Sequence, residues 1–352
     1  MPDIAQHTLA TDTMGMSFDP RIGQIASFVV DDNAQQIAPL HRAPWVDTDT
    51  DLPADAPPHL TLLGGDFFCA PFGGREGGSP QHGWSANAPW TLDTAAQTHL
   101  TATLSHPVCG ATLTKDLRLH PGHPFVYQRH TFAGGAGRIP VANHANVAVP
   151  NGALIRTSPK RLWITPEDPQ ESDPTRGRSI LRYPASSTDP TRFPGTNGPI
   201  DLTRYPFGPR HEDFVAALDP PAATLGWTAI TRPVEGDLFL SLKHAAYLPM
   251  TMLWHSNGGR DYAPWSGRHK GCLGVEEGAA GSVLGHGPAA DAALTLQPGG
   301  ETSVTHAIGA IAWPSGSAVA DIALDHDTLT LTITGTCGTT RQLPFDAGWL
   351  GL

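Results

Sequence analysis

The sequence predicts an all-β protein, a large antiparallel β-sandwich, and three observations carry that prediction. Short runs with strand-like alternation recur from end to end, at residues 113–119, 125–132, 238–242, 294–296 and 329–334. Each run is bounded by turn residues such as Pro121-Gly122 and Pro298-Gly299-Gly300, which supply the backbone freedom of a tight strand reversal. With 38 glycines and 34 prolines in 352 residues, the chain is interrupted too often for long helices.

No fixed-period repeat, heptad or GxGxxG between a strand and a helix is present, which argues against solenoids, coiled coils and Rossmann domains. Residues 46–60, rich in Asp and Pro, and residues 166–212, where charges, prolines and glycines mix without an apolar period, read as long surface loops. The second is expected to border a binding cleft. Neither resembles a Gly/Ser linker, so residues 1–352 are expected to form one domain, with residues 1–15 extended.

The formal net charge of −11 excludes the basic footprint that nucleic acid or an anionic membrane would select. The opening MPDIAQHTLATDTMG lacks a basic n-region followed by an apolar core, and no stretch approaches the roughly 20 apolar residues of a membrane helix. A cytoplasmic location is expected. Cys69, Cys109, Cys272 and Cys337 are widely spaced, with no CxxC pair, and are expected to be reduced and mostly buried.

Three stretches concentrate chemistry. GGDFFCAPFGG at 64–74 leads into HGWSANAPW at 82–90, placing His82 among aromatic residues whose faces suit a pyranose; taken singly, Phe67, Phe68, Trp84 and Trp90 read as core. In NHANVAVP at 143–150, His144 lies between two asparagines and before an apolar run, where an imidazole of ordinary pKa near 6.5 titrates close to neutrality. In GCLGVEEG at 271–278, strand alternation puts Cys272, Gly274 and Glu276 on one face and Leu273, Val275 and Glu277 on the other, so only one of the two glutamates can face a given pocket.

In this order, the stretches resemble the aldose 1-epimerase (galactose mutarotase-like) superfamily: a glycine-rich lead into a PFG-like step, HG followed by tryptophan, a second histidine, then a late glutamate after an apolar strand. Residues 249–254 look like the strand before the glutamate, and LQPGGE at 296–301 is similar to the family's LxPGE turn, so the resemblance spans about residues 20–312. It implies a galactose mutarotase-like supersandwich acting on a free sugar, with no cofactor and no metal. Carried over by position, it implies Glu276 as general base, His144 as general acid, His82 as substrate-positioning histidine, and Asp213 of HEDF as a ligand of sugar hydroxyls. Trp84, Trp90, Trp254 and Trp265 are candidates for stacking on the sugar, and Arg75, Arg268 and Lys270 for polar contacts. Ala86 stands where hexose-phosphate members carry the arginine of HGFAR, which points to a non-phosphorylated substrate; Glu277 replaces the proline that often follows the family's glutamate.

The implied reaction is anomer exchange: a base takes the C1 hydroxyl proton, an acid protonates the ring oxygen, and rotation about C1–C2 precedes reclosure. Three other classes compete. A non-catalytic carbohydrate-binding protein would keep the aromatics without convergent Glu276 and His144. A hydrolase or lyase needs a second carboxylate, for which Asp66 and Asp213 are the candidates. A cupin-like metal enzyme is prompted by the seventeen histidines and the His244 and His255 region, but no HxH with a following glutamate is present.

Overall fold

A computed structural model describes residues 6–48, 52–74 and 78–352. Its ladders between strands are antiparallel, and most belong to two large sheets. The eleven-stranded sheet runs in the order His7–Ala10, Met14–Asp19, Gln24–Asp32, Asp66–Cys69, Val141–Ala148, Cys272–Ala279, Met250–Asn257, His211–Leu218, Leu162–Ile164 and Ser186–Ser187, with Gln35–Ile37 paired to the third strand. The nine-stranded sheet runs Arg204–Tyr205, Ala153–Thr157, Leu225–Arg232, Asp237–His244, Glu301–Ala312, Phe125–Gly134, Ala111–Leu119, His99–Leu104 and Trp90–Ala95.

A core that includes Phe18, Phe68, Val147, Val215, Leu273, Val275, Phe132, Phe239 and Ile308 joins the two sheets. A second apolar cluster, with Trp45, Phe67, Phe214, Trp254 and Trp265, covers the other face of the larger sheet. This double covering explains why His211–Leu218 and Cys272–Ala279 are buried along their whole length, whereas Ala111–Leu119 shows the alternating exposure of a strand wet on one face. A third layer follows the main sandwich. The hairpins of Val319–Asp325, Thr330–Gly335 and Thr340–Pro344, closed by the short helix Ala347–Leu350, pack Leu331, Ile333, Phe345 and Trp349 against Phe125, Tyr127 and Trp227.

The predicted alternating runs lie on observed strands except at Leu329, which has φ 52° and ends the turn before its strand. The N-terminal stretch is extended from His7, as an edge strand paired with Met14–Asp19. The expectation for the cysteines is corrected by half. No disulfide joins the four, and Cys69 and Cys272 are buried on central strands, but Cys109 and Cys337 sit in turns outside the strands and are exposed. Among the described residues, no helix is long and apolar enough to cross a membrane.

Candidate active site

Pairing fixes the centre of the site. Val141–Ala148 lies between Asp66–Cys69 and Cys272–Ala279, with His144 opposite Phe67 on one side and Glu276 on the other. Opposed residues on neighbouring strands project to the same face. All three therefore leave the sheet on its outer side, beneath the second apolar cluster. Glu277, one residue on, projects into the space between the sheets.

A cavity of about 330 Å³ opens over these residues, at the small end of ligand sites, which run roughly 300–1,000 Å³. His59, Phe67, Phe72, His82, His144, Phe214, Trp254, Arg260, Trp265 and Glu276 form much of its wall. His144 Nε2 lies 3.2 Å from Glu276 Oε1, and both side chains are almost wholly buried. Phe67 stacks on His144 at 4.6 Å between ring centroids, while His82 and Trp254 meet it edge-on at 5.6 and 6.0 Å. These rings remove water from the pair. Burial pushes the Glu276 carboxyl well above its ordinary 4.5 and draws His144 down to about 3. Both are driven toward their uncharged forms, so the contact holds one proton between a carboxyl oxygen and an imidazole nitrogen. Glu276 Oε2 and His144 Nδ1 have no hydrogen-bond partner among the described residues and remain to be satisfied by a ligand or water.

His82 is held in an unusual backbone conformation, φ 65°, followed by Gly83 at φ 73°. A Cβ on Gly83 would stand 2.0 Å from the Ala70 carbonyl oxygen, so the chain can turn His82 into the cavity only if glycine follows. His59 comes from the short helix Pro58–Thr61, begun by proline at its first position. Asn87 orients it. The Asn87 side-chain amide donates to the Gln81 and Gly83 carbonyls, which leaves its oxygen 2.8 Å from His59 Nδ1. His59 therefore carries its hydrogen on Nδ1 and meets the His82 ring edge-on at 5.0 Å.

Arg260 spreads over Trp265, 4.2 Å from the ring centroid, with its Nη2 3.2 Å from Glu212 Oε1. Glu212 also accepts from Trp254 Nε1 at 2.5 Å and Ser256 Oγ at 2.9 Å. The guanidinium is thus neutralised from behind, and the cavity presents little surplus charge.

Comparison with known proteins gives a fold. No family model and no curated protein sequence matches the chain. Solved structures do. A galactose mutarotase-related enzyme from Lactobacillus acidophilus is 12% identical with TM-score 0.56, covering 88% of this chain and 98% of its own. A candidate aldose 1-epimerase from Escherichia coli K12 is 14% identical with TM-score 0.60, covering 87% and 98%. A galactose mutarotase-like protein from Lactobacillus casei is 12% identical with TM-score 0.50, covering 87% and 100%. The chain has a galactose mutarotase-like fold.

Within this galactose mutarotase-like sandwich, the residues singled out in the sequence divide sharply. His82, His144 and Glu276 line one cavity, joined by Trp254 and Trp265. Asp213 does not, and its assignment as a sugar ligand is corrected. It projects to the opposite face of its strand, where it accepts from the Ile180 and Leu181 amides, the Tyr183 hydroxyl and His211 Nδ1. Trp84 is corrected as well: it stacks on His106 at 4.5 Å, away from the cavity. Trp90 belongs to the core between the sheets, and Arg268 and Lys270 do not line the cavity. Arg75 lies outside the described residues.

Asp66 is buried between the sheets, where Gln128 Nε2 donates to it at 2.5 Å. Among the described lining residues the hydrolase reading is thus left with one carboxylate, Glu276. His255 is buried beside Tyr205 and Phe207, whereas His244 sits against Tyr247 at a strand end, so the two do not converge. Both irregular segments border the cleft, through Pro57, His59 and Leu60 of the first and Pro166 and Gln170 of the second. Sequence reasoning missed His59, Arg260 and Glu212. For His59, the Pro57-Pro58 step before it was a usable helix-start signal; Arg260 and Glu212 carry no local signal.

Proposed function

We propose that this cavity binds a non-phosphorylated aldose and interconverts its α and β anomers. The observation that carries the reading is the 3.2 Å contact of one carboxyl group with one imidazole, Glu276 with His144, in a cavity walled by aromatic rings. Ring opening needs one base and one acid, and this pair supplies both without a net change in protons. In its ion-pair form, Glu276 takes the proton from the C1 hydroxyl as His144 gives one to the ring oxygen, and the open aldehyde forms. The pair is left as carboxylic acid and neutral imidazole, the forms that burial favours. Reclosure runs the same transfers backwards after rotation about C1–C2. His82 positions the sugar by hydrogen bond, and Trp254 and Trp265 offer faces to its C–H surface.

Substrate charge follows from Arg260. Its guanidinium is held by Glu212, and Ala86 is buried in a short turn, so a phosphate dianion would find no unneutralised cation among the described lining residues. The structures of similar fold that are named as a galactose mutarotase-related enzyme and a candidate aldose 1-epimerase lend support. The test is anomer exchange of freshly dissolved α-glucose, α-galactose and other aldoses, followed by NMR against the uncatalysed rate. Acceleration that drops on the order of 100- to 10,000-fold in Glu276→Gln is expected. Saturable sugar binding without acceleration would refute catalysis and leave a carbohydrate-binding protein.

A further inference from the structure

Behind the Trp254 and Trp265 wall lies a cluster that the reaction does not use. His41, His269 and Cys272 each offer one donor atom, and the three atoms lie within 4.8 Å of one another. His41 Nε2 and His269 Nε2 are buried and have no hydrogen-bond partner among the described residues, and the two rings meet edge-on at 4.9 Å. Two orphaned imidazole nitrogens and a buried thiol facing one another are costly unless something satisfies them.

The surroundings prepare His269 as a ligand. Glu212 accepts from Trp254 Nε1, from Arg260 and from the Ser256 hydroxyl. Because Ser256 spends its proton on Glu212, its oxygen accepts from His269 Nδ1 at 2.7 Å. The free lone pair of His269 is therefore on Nε2. A carboxylate behind a ligand's far nitrogen, here relayed through a hydroxyl, is the outer-shell arrangement that fixes tautomer and orientation in metal sites.

We propose that His41, His269 and Cys272 bind one ion of the zinc class, and that this site is structural. Two imidazoles and a thiolate suit a borderline-soft cation, and the Asn146 side-chain oxygen, 3.8 Å from the Cys272 sulfur, stands beside the remaining position. Bond lengths of about 2.0 Å to nitrogen and 2.3 Å to sulfur place tetrahedral ligands roughly 3.5 Å apart. The cluster therefore tightens on binding, chiefly through half-buried His41, which lies outside any strand. The Cys272 thiol gives its proton to solvent as sulfur bonds the ion; nothing is oxidised or reduced. Cys272 and Glu276 share one strand face four residues apart, about 13 Å at the usual rise, so the ion does not reach the reacting groups. Instead it ties the segment that carries Trp45 to the strand that carries Glu276.

The experiment uses the full chain, stripped with a chelator and titrated with zinc(II) alone, then with cobalt(II) as a spectroscopic probe. One equivalent of ion, release of a proton and a thiolate-to-cobalt absorption band are expected. His41→Ala and Cys272→Ala should each weaken binding by more than roughly 100-fold, because even an outer-shell loss costs 10- to 100-fold. His244→Ala, outside the cluster, should change nothing. If Cys272→Ala fails to fold, His41→Ala decides alone. Binding that survives His41→Ala, or a cobalt complex without a thiolate band, would overturn the proposal and assign the ion to other histidines. Anomer exchange by the stripped protein is expected to persist, so failure of this site and failure of the catalytic reading are separable.

Discussion

Glu276 and Glu277 are adjacent, alike in chemistry and both buried, yet their replacement should have opposite consequences. Glu277 lies between the sheets and accepts from Thr228 Oγ1 at 2.6 Å, Ser241 Oγ at 3.3 Å and Thr251 Oγ1 at 2.6 Å, with Lys243 Nζ at 2.7 Å. Lys243 also reaches Asp219 at 3.0 Å, and Lys160 reaches Asp219 at 2.6 Å. Despite burial, Lys243 and Lys160 and these donors hold the Glu277 carboxyl near 2, below its ordinary 4.5. At about 1.4 kcal/mol per tenfold change, that difference is worth about 3 kcal/mol. The sign follows: this stability is fully present above pH 4.5 and is lost as pH falls toward 2. Removing one partner of a buried ion pair costs about 3–5 kcal/mol by an independent route. Glu277→Gln should therefore lower unfolding free energy by about 3 kcal/mol in a denaturant titration at pH 7, while the fraction still folded keeps its anomer-exchange rate within about tenfold. Glu276→Gln should retain the wild-type unfolding midpoint within about 1 kcal/mol and lose activity on the order of 100-fold or more. The reasoning fails if Glu277→Gln is as stable as wild type, or if the two variants exchange phenotypes.

Two further outcomes test neighbouring steps. Asp213→Asn should destabilise the chain by about 1–3 kcal/mol, because the buried Leu181 and His211 donors and the half-buried Ile180 and Tyr183 donors lose a charged acceptor, while KM for the sugar changes less than about threefold; a KM effect with normal stability would restore Asp213 as a sugar ligand. Gly83→Ala should cost both stability, by more than about 1 kcal/mol, and activity, because its Cβ would overlap the Ala70 carbonyl and turn His82 away; unfolding midpoints and anomer-exchange rates measured on the same preparation decide this.

The parts of the molecule that the sequence disclosed are those written in local alternation. Glu276 and Glu277 could be assigned to opposite faces because a strand reverses its side chains at every residue. Asp213 and Glu212 show how the same rule misleads when the anchor is loose. Choosing the aspartate of HEDF shifts the choice by one residue, and a one-residue slip exchanges the cavity side of the sheet for its interior. His59 and Arg260 were hidden for a different reason. Neither belongs to an alternating strand, and each reaches the site only because folding brings the segments of Pro58–Thr61 and the turn after Met250–Asn257 over the same sheet face. The continuous burial of the central strands also erased the period on which their recognition would depend.

The contact between His144 and Glu276 bears on how activity should vary with pH. A catalytic imidazole with an ordinary pKa would change charge near 6.5, and a reaction requiring one form would bend there. In this cavity the imidazole is drawn down to about 3 and the carboxyl is pushed well above 4.5, because both lie behind Phe67, His82 and Trp254. Between these limits the pair carries one proton in total, and ring opening leaves that count unchanged, because His144 gives its proton to the ring oxygen as Glu276 takes another from the C1 hydroxyl. A second proton is not taken up until well below pH 5. The catalysed anomer-exchange rate, corrected for the uncatalysed rate at each pH, should therefore stay level within about twofold from pH 7 down to pH 5. A tenfold fall centred near 6.5 would mean that His144 titrates independently of Glu276, and the shared-proton mechanism would have to be abandoned.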